Sequence, residues 1–225
     1  VLNNIINDNK TNLSDRIYKS LLSRIYNSQG FCELVNISNP NFWNPEVVAE
    51  NIKKLEDPEV KDGQIYTNAY RIIQPKVCYK ELYPNNHHKA HALLYINDLR
   101  KKYGEKIVSL FKSFNAKQCY EWIHSNVRGA GPFIAYQMYV DISYFKEIPF
   151  SDRFFVVSGP GCERGFTYLY KDWDGLNKEE ILWWHRNHFE DILKEKYNIS
   201  YNELFDNEPI ENRYFDLQEC ENSRL

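Results

Sequence analysis

A chain of 225 residues, 43% hydrophobic and 26% charged, is large enough to bury one good core and ordinary for a globular protein. Its net charge of −3 excludes a protein that holds nucleic acid chiefly by bulk charge, though not a local basic face. There is no apolar run of about 18 residues, so no membrane span is expected; nothing at the start resembles a signal peptide. Five cysteines (Cys32, Cys78, Cys119, Cys162, Cys220) without a C-x-x-C pair suggest neither a zinc ribbon nor a disulfide framework.

Ile17, Leu21, Leu22, Ile25 and Tyr26 form a helical stripe after a polar start. Asn44-Pro45 opens a second helix through Val48, Ile52 and Leu55. Glu56 to Gly63 reads as a loop, because Asp57-Pro58 and Asp62-Gly63 are turn pairs. Ile65 to Ile73 reads as a short helix that Gln74-Pro75 stops. His88 to Tyr103 is amphipathic through Ala92, Tyr95, Ile96 and Leu99, and Gly104 ends it. Ile107, Leu110, Phe111 and Phe114 mark another helix. Lys117 to Asn126 follows, with Cys119, Trp122 and Ile123 on one face.

The next residues are Val127-Arg128-Gly129-Ala130-Gly131-Pro132-Phe133-Ile134-Ala135-Tyr136-Gln137. Glycines allow positive φ and close backbone approach. Pro132 suits a first helical position. The spacing predicts helix, G-x-G hairpin, helix over about 117–144. Outward N–H groups of such a hairpin can hold a phosphate, with Arg128, Gly129 and Gly131 as the contact residues. The plainer alternative is a turn and nothing more.

Phe145 to Trp173 lacks a clear period and contains Gly159-Pro160-Gly161, the kind of irregular segment in which a site is expected. Asn177-Lys178-Glu179-Glu180 is a capping-box signal before a helix to about Tyr197, and Ser200-x-x-Glu203 repeats it. Strand-like alternation is scarce. The expected fold is therefore all-α, one domain over 1–225, with a possible division into lobes at about 1–104 and 105–225. Aromatics make up 16% of the chain, with 17 tyrosines; most belong in a core, and some are candidates to line a pocket for a flat base.

Four segments in order carry a resemblance. They are Tyr66-Thr67-Asn68-Ala69-Tyr70-Arg71, Gly131-Pro132-Phe133-Ile134-Ala135-Tyr136-Gln137 with Asp141, Gly159-Pro160-Gly161 with Arg164-Gly165, and Leu217-Gln218-Glu219-Cys220-Glu221-Asn222-Ser223. Together they resemble the helical family of α-glutamyl/putrescinyl thymine pyrophosphorylases. That family also takes in amino-acid:DNA transferases and the helical domain attached to 5-hydroxymethyluracil DNA kinases. The resemblance runs from about Tyr66 to the C-terminus. The hairpin with Asp152, 21 residues after Gly131, also resembles helix-hairpin-helix DNA glycosylases. It implies a two-lobed helical fold around a cleft. The four-cysteine iron–sulfur loop of some such glycosylases is absent. Their Schiff-base lysine position is Phe133 here, so no strand cleavage through it is expected. A first residue of Val, and an end at what resembles the start of the family's last helix, fit a piece of a longer chain.

Asp152 is the first catalytic candidate, able to orient a nucleophile or accept its proton near an extruded base. Its alternative is a turn cap. Gln137 and Asp141 stand i, i+4 on one helix face, suited to read a base edge or to make a surface hydrogen bond. Gly159, Gly161 and Arg164, with Arg71, are candidates to hold pyrophosphate or a DNA phosphate. The alternatives are a tight turn and an ion pair. His87 and His91 have metal-clamp spacing, but the general-base Glu of a zinc-protease helix is missing, and no metal or cofactor is expected.

The resemblance implies displacement of pyrophosphate from an activated hydroxymethyl base in DNA by an amine or amino-acid nitrogen. Two alternatives stand beside it: a DNA glycosylase, and a non-catalytic helical DNA-binding module of a base kinase. Expected partners are DNA, a small amine co-substrate and a kinase domain, with no membrane. Free thiols suit an intracellular setting, the cytoplasm of a bacterial or phage-infected cell or a nucleus.

Overall fold

The computed structural model describes residues 2–66, 78–151, 155–159, 162, 164, 165, 177–200 and 203. The chain divides into two compact units, Val1–Phe150 and Ser151–Leu225. Among the described residues there are helices and no strand, as an all-α fold requires.

The first unit holds α1 (Leu2–Ile6), α2 (Leu13–Tyr26), α3 (Gln29–Leu34), α4 (Pro45–Glu56) and α5 (Asp62–Ile65). A 3₁₀ turn (His88–Ala90) then leads into α6 (His91–Tyr103), α7 (Lys106–Ser113), α8 (Ala116–Asn126) and α9 (Pro132–Ser143). Local chemistry sets most of their ends. The Asn12 side chain accepts the Asp15 N–H at 2.8 Å, which starts α2. Asn115 and Gln118 cap each other's backbone at α8. Gly104 ends α6 at φ +50. Asn44 starts α4 without a side-chain cap bond, because Pro45 at the first position already fixes the turn. Asp62-Gly63, expected in a loop, instead opens α5, whose last residue is Ile65. The short helix expected over Ile65 to Ile73 therefore does not begin at Ile65, because Tyr66 is extended; its remaining residues lie within 67–77, outside the described residues.

The central element is α2. Apolar periodicity predicts a stripe, yet residues 14–22 are buried without a break. It packs against α6, α7 and α9, so helices from both sides of residue 104 share one core. Burial on every face forces its charges to find partners, because an unpaired buried charge is costly. Asp15 takes Arg100 at 2.6 Å. Arg16 pairs with Glu147 and donates to the Ile6 carbonyl at 2.7 Å. Lys19, 1% exposed, donates to the Asn39 carbonyl at 2.9 Å. Its ammonium pKa is pushed down by burial, against the opposing pull of Asp8 and Asp15.

Aromatic rings fill the rest. Tyr26 stacks on Phe31 and on Tyr66. Trp43 meets Tyr18 edge-on and donates its indole N–H to the Asp15 carbonyl at 3.2 Å. Trp122 packs edge-on against Phe111 and Tyr103. In this unit the fully buried tyrosines Tyr18, Tyr26, Tyr79, Tyr136 and Tyr139 are core rather than pocket wall.

The second unit holds α10 (Lys178–Ile192), continued by a π-helical turn, Leu193–Tyr197. Asn177 accepts the Glu179 and Glu180 amides, the expected capping signal. Ser200 and Glu203 exchange a second set of cap bonds.

Candidate nucleic-acid interface

The hairpin lies between α8 and α9, which pack on each other. Val127 is buried and closes α8 through a 2.8 Å bond from its N–H to the Ile123 carbonyl. Gly129 has φ +84, a conformation other residues adopt only with strain. The expected need for glycine is therefore met at Gly129. Gly131 differs: its φ is −64 and its ψ is 173, which any residue tolerates. A Cβ added there meets nothing within 4 Å. Among the described residues, nothing requires glycine at Gly131.

Hairpin amides are partly committed inside the chain. The Ala130 N–H bonds the Val127 carbonyl at 3.0 Å, and the Gly131 N–H bends back to the Gly129 carbonyl at 3.1 Å. The Arg128 N–H bonds the Tyr95 hydroxyl at 3.1 Å. Gly131 thus contributes an open backbone surface more than a spare donor. Beside it, Pro132 starts α9 and leaves the first-turn amides at the positive end of the helix. Arg128 is exposed, and its guanidinium stands 3.4 Å from Glu81, itself 85% exposed. Such a pair is weak and easily exchanged.

Two tyrosines support the hairpin from below. Tyr79, fully buried, donates its hydroxyl to the Arg128 carbonyl at 2.7 Å. Tyr95 donates to the Asn126 carbonyl at 2.5 Å while accepting from Arg128. Their rings lie 4.9 Å apart. Burial drives the Tyr79 hydroxyl pKa well up, which keeps it a donor. Sequence reasoning missed both residues, since neither has a local signal linking it to positions 33 and 49 residues away.

At the other end of α9, Asp141 is 3% exposed and forms a two-pronged pair with Arg24 of α2, at 2.7 and 2.5 Å. The pair lines a cleft of about 180 Å³ with Ser23, Asn27, Gln29 and Cys32. Burial pushes the Cys32 thiol up to about 11, so it is no ready nucleophile. Gln137 is half-buried one turn before Asp141. Asp141, expected with Gln137 to read a base edge or make a surface hydrogen bond, is paired with Arg24 between helices.

Gly159, Arg164 and Gly165 belong to the second unit, where Gly159 and Gly165 are buried and Arg164 is exposed. Ser158 holds this stretch to α10 through two bonds to Glu179, at 3.2 and 3.1 Å. Asp152, Arg71 and Gly161 lie outside the described residues. His87 precedes the 3₁₀ turn and accepts the Lys89 amide, while the buried His91 bonds the Asn86 carbonyl at 2.8 Å. The histidine pair therefore lacks the helical register a clamp needs. Among the described residues, no three metal-binding side chains converge. No helix there is long and apolar enough to cross a membrane.

No curated protein and no solved structure matches the chain. The family model described as the helical domain of 5-hmdU DNA kinase matches residues 1–224. The match takes in α1 to α5 as well as the segments from Tyr66 onward that carry the resemblance. The chain accordingly belongs to the 5-hmdU DNA kinase helical-domain family, which ties it to DNA base modification.

Proposed function

We propose that this domain engages the backbone of DNA containing 5-hydroxymethyluracil through the Arg128–Pro132 hairpin, so that the base can be modified. The observation that carries the reading is Gly131. Its backbone angles suit any residue and its Cβ direction is empty. A glycine the fold does not need, beside the N-terminus of α9 and an exposed arginine, fits close approach by an outside group. A phosphate suits the local charge. Asp152, Gly159, Gly161, Arg164 and Arg71 remain, in this reading, the groups proposed to act on the base and its phosphates.

The test is Gly131→Val. The native angles accept valine, and a residue before proline favours this extended region, so stability should stay within about 0.5 kcal/mol. Affinity for a 5-hydroxymethyluracil duplex should fall about tenfold, roughly 1.4 kcal/mol. A folded variant with unchanged affinity overturns the reading.

One observation favours a second, catalytic reading: the cleft lined by Arg24 and Asp141, large enough for a small amine. In it the domain itself would displace pyrophosphate from the activated base with an amine. Nucleoside mass spectrometry of DNA made with this protein and a hydroxymethyluracil kinase separates the two. A base that has lost its phosphates and gained the amine supports the transferase, and an unchanged kinase product leaves the binding module.

A further inference from the structure

We infer that Tyr79 and Tyr95 are positioning residues that pre-set the hairpin for a backbone phosphate. The inference rests on the proposed DNA-binding reading. Arg128 is gripped on both faces of its backbone. Tyr79 donates to its carbonyl at 2.7 Å, and Tyr95 accepts its N–H at 3.1 Å. Tyr95 also donates to the Asn126 carbonyl at 2.5 Å, tying the end of α8 to the hairpin. The hydroxyls come from outside the hairpin, Tyr79 from the segment that precedes the 3₁₀ turn and Tyr95 from within α6. With the flanking backbone of Arg128 fixed, the chain enters Gly129 at a set angle, and φ +84 at that residue carries it to Gly131. The Arg128 side chain is left pointing to the exposed surface, where Glu81 is its weak partner. Holding a recognition loop in its bound shape before binding removes the cost of ordering it afterwards.

Loss of either hydroxyl should therefore free the hairpin while leaving both rings packed. A merely structural role would lower stability and the active fraction. A positioning role would also change how many phosphates the protein meets. That number is read from the slope of log affinity against log salt, about 0.9 per phosphate neutralised on duplex DNA.

The experiment titrates a duplex oligonucleotide across a salt series with the 225-residue protein, Tyr95→Phe, Tyr79→Phe and Gly131→Val. Tyr103→Phe is the control. Its hydroxyl bonds the Asn126 side chain at 2.8 Å in the same cluster but does not touch Arg128. Tyr95→Phe and Tyr79→Phe should each lose about threefold to tenfold in affinity. Their slopes should shrink by roughly one phosphate, and Tyr103→Phe should keep the wild-type slope. If one tyrosine variant does not fold, the other decides. A reduced slope in Gly131→Val with wild-type slopes in the tyrosine variants overturns this inference alone. A wild-type slope and affinity in Gly131→Val overturns the DNA-binding reading and the inference with it.

Discussion

The two ends of α9 use opposite chemistry. At its start, Gly131 and Pro132 are exposed and the space beside Gly131 is open. Near its end, Asp141 is 3% exposed and paired with Arg24 of α2. One end has surface to offer a partner, and the other has its charge spent on holding α2. The difference teaches that the two polar features of the same helix are answerable to different measurements: binding at the hairpin, stability at the carboxylate.

The largest expected effect lies at the Asp141 end. Asp141→Ala removes the two-pronged carboxylate from the Arg24 guanidinium and should cost about 3 kcal/mol, read by chemical denaturation. Adding Arg24→Met to an Asp141→Leu background should recover most of that loss, since it is the unpaired charge that is costly. If Asp141→Ala instead leaves stability untouched, the division between the two ends fails.

Next comes Gly129. At φ +84 a Cβ is strained, so Gly129→Ala should cost about 1–2 kcal/mol, whereas Gly131→Ala should be neutral. Equal losses at both glycines would blur the contrast within the hairpin. A smaller effect belongs to Glu81. Its carboxylate competes with phosphate for Arg128 and adds repulsion. Glu81→Gln should tighten duplex binding about twofold to threefold at low salt, and less as salt rises.

The smallest effect is acidic. Burial raises the Glu147 pKa, but the hydrogen bond and charge of Arg16 outweigh it, leaving the folded value below the ordinary 4.5. The pair therefore contributes fully above 4.5, and the contribution fades as pH falls through the folded value. Glu147 is 39% exposed, so solvent screening holds the term below about 1 kcal/mol. Glu147→Gln should make the acid limb of the stability curve slightly shallower.

Much of this was legible in the sequence because its causes are local. The cap logic that finds Asn177 also explains Asn12 and Asn115, which the sequence pattern does not single out. Gly104 stops α6 where a C-terminal glycine is expected, and Gly129-Ala130-Gly131-Pro132 turns α8 into α9. What sequence could not show is the role of charges whose partners lie far away. Asp15, Arg16 and Arg24 carry no local signal of their roles, because their ion-pair partners stand 85, 131 and 117 residues on. The same distance hid the tyrosine clamp. Asp141 was read against Gln137 because i, i+4 is the only neighbour a sequence displays, whereas packing of α9 on α2 supplies the stronger partner.

The crossed charges of α2 also set an order of events for the growing chain. When residues 13–26 have been made, Arg100, Glu147 and Asp141, the ion-pair partners of Asp15, Arg16 and Arg24, do not yet exist. Arg100, Asp141 and Glu147 arrive only as the first unit nears its end at Phe150. Until then α2 has nowhere to bury its charged face, so the unit gains its stability late and nearly all at once. A fragment stopping at Gly104 would carry Arg16 and Arg24 without their carboxylates, and it should remain loosely structured however regular its helices look in isolation.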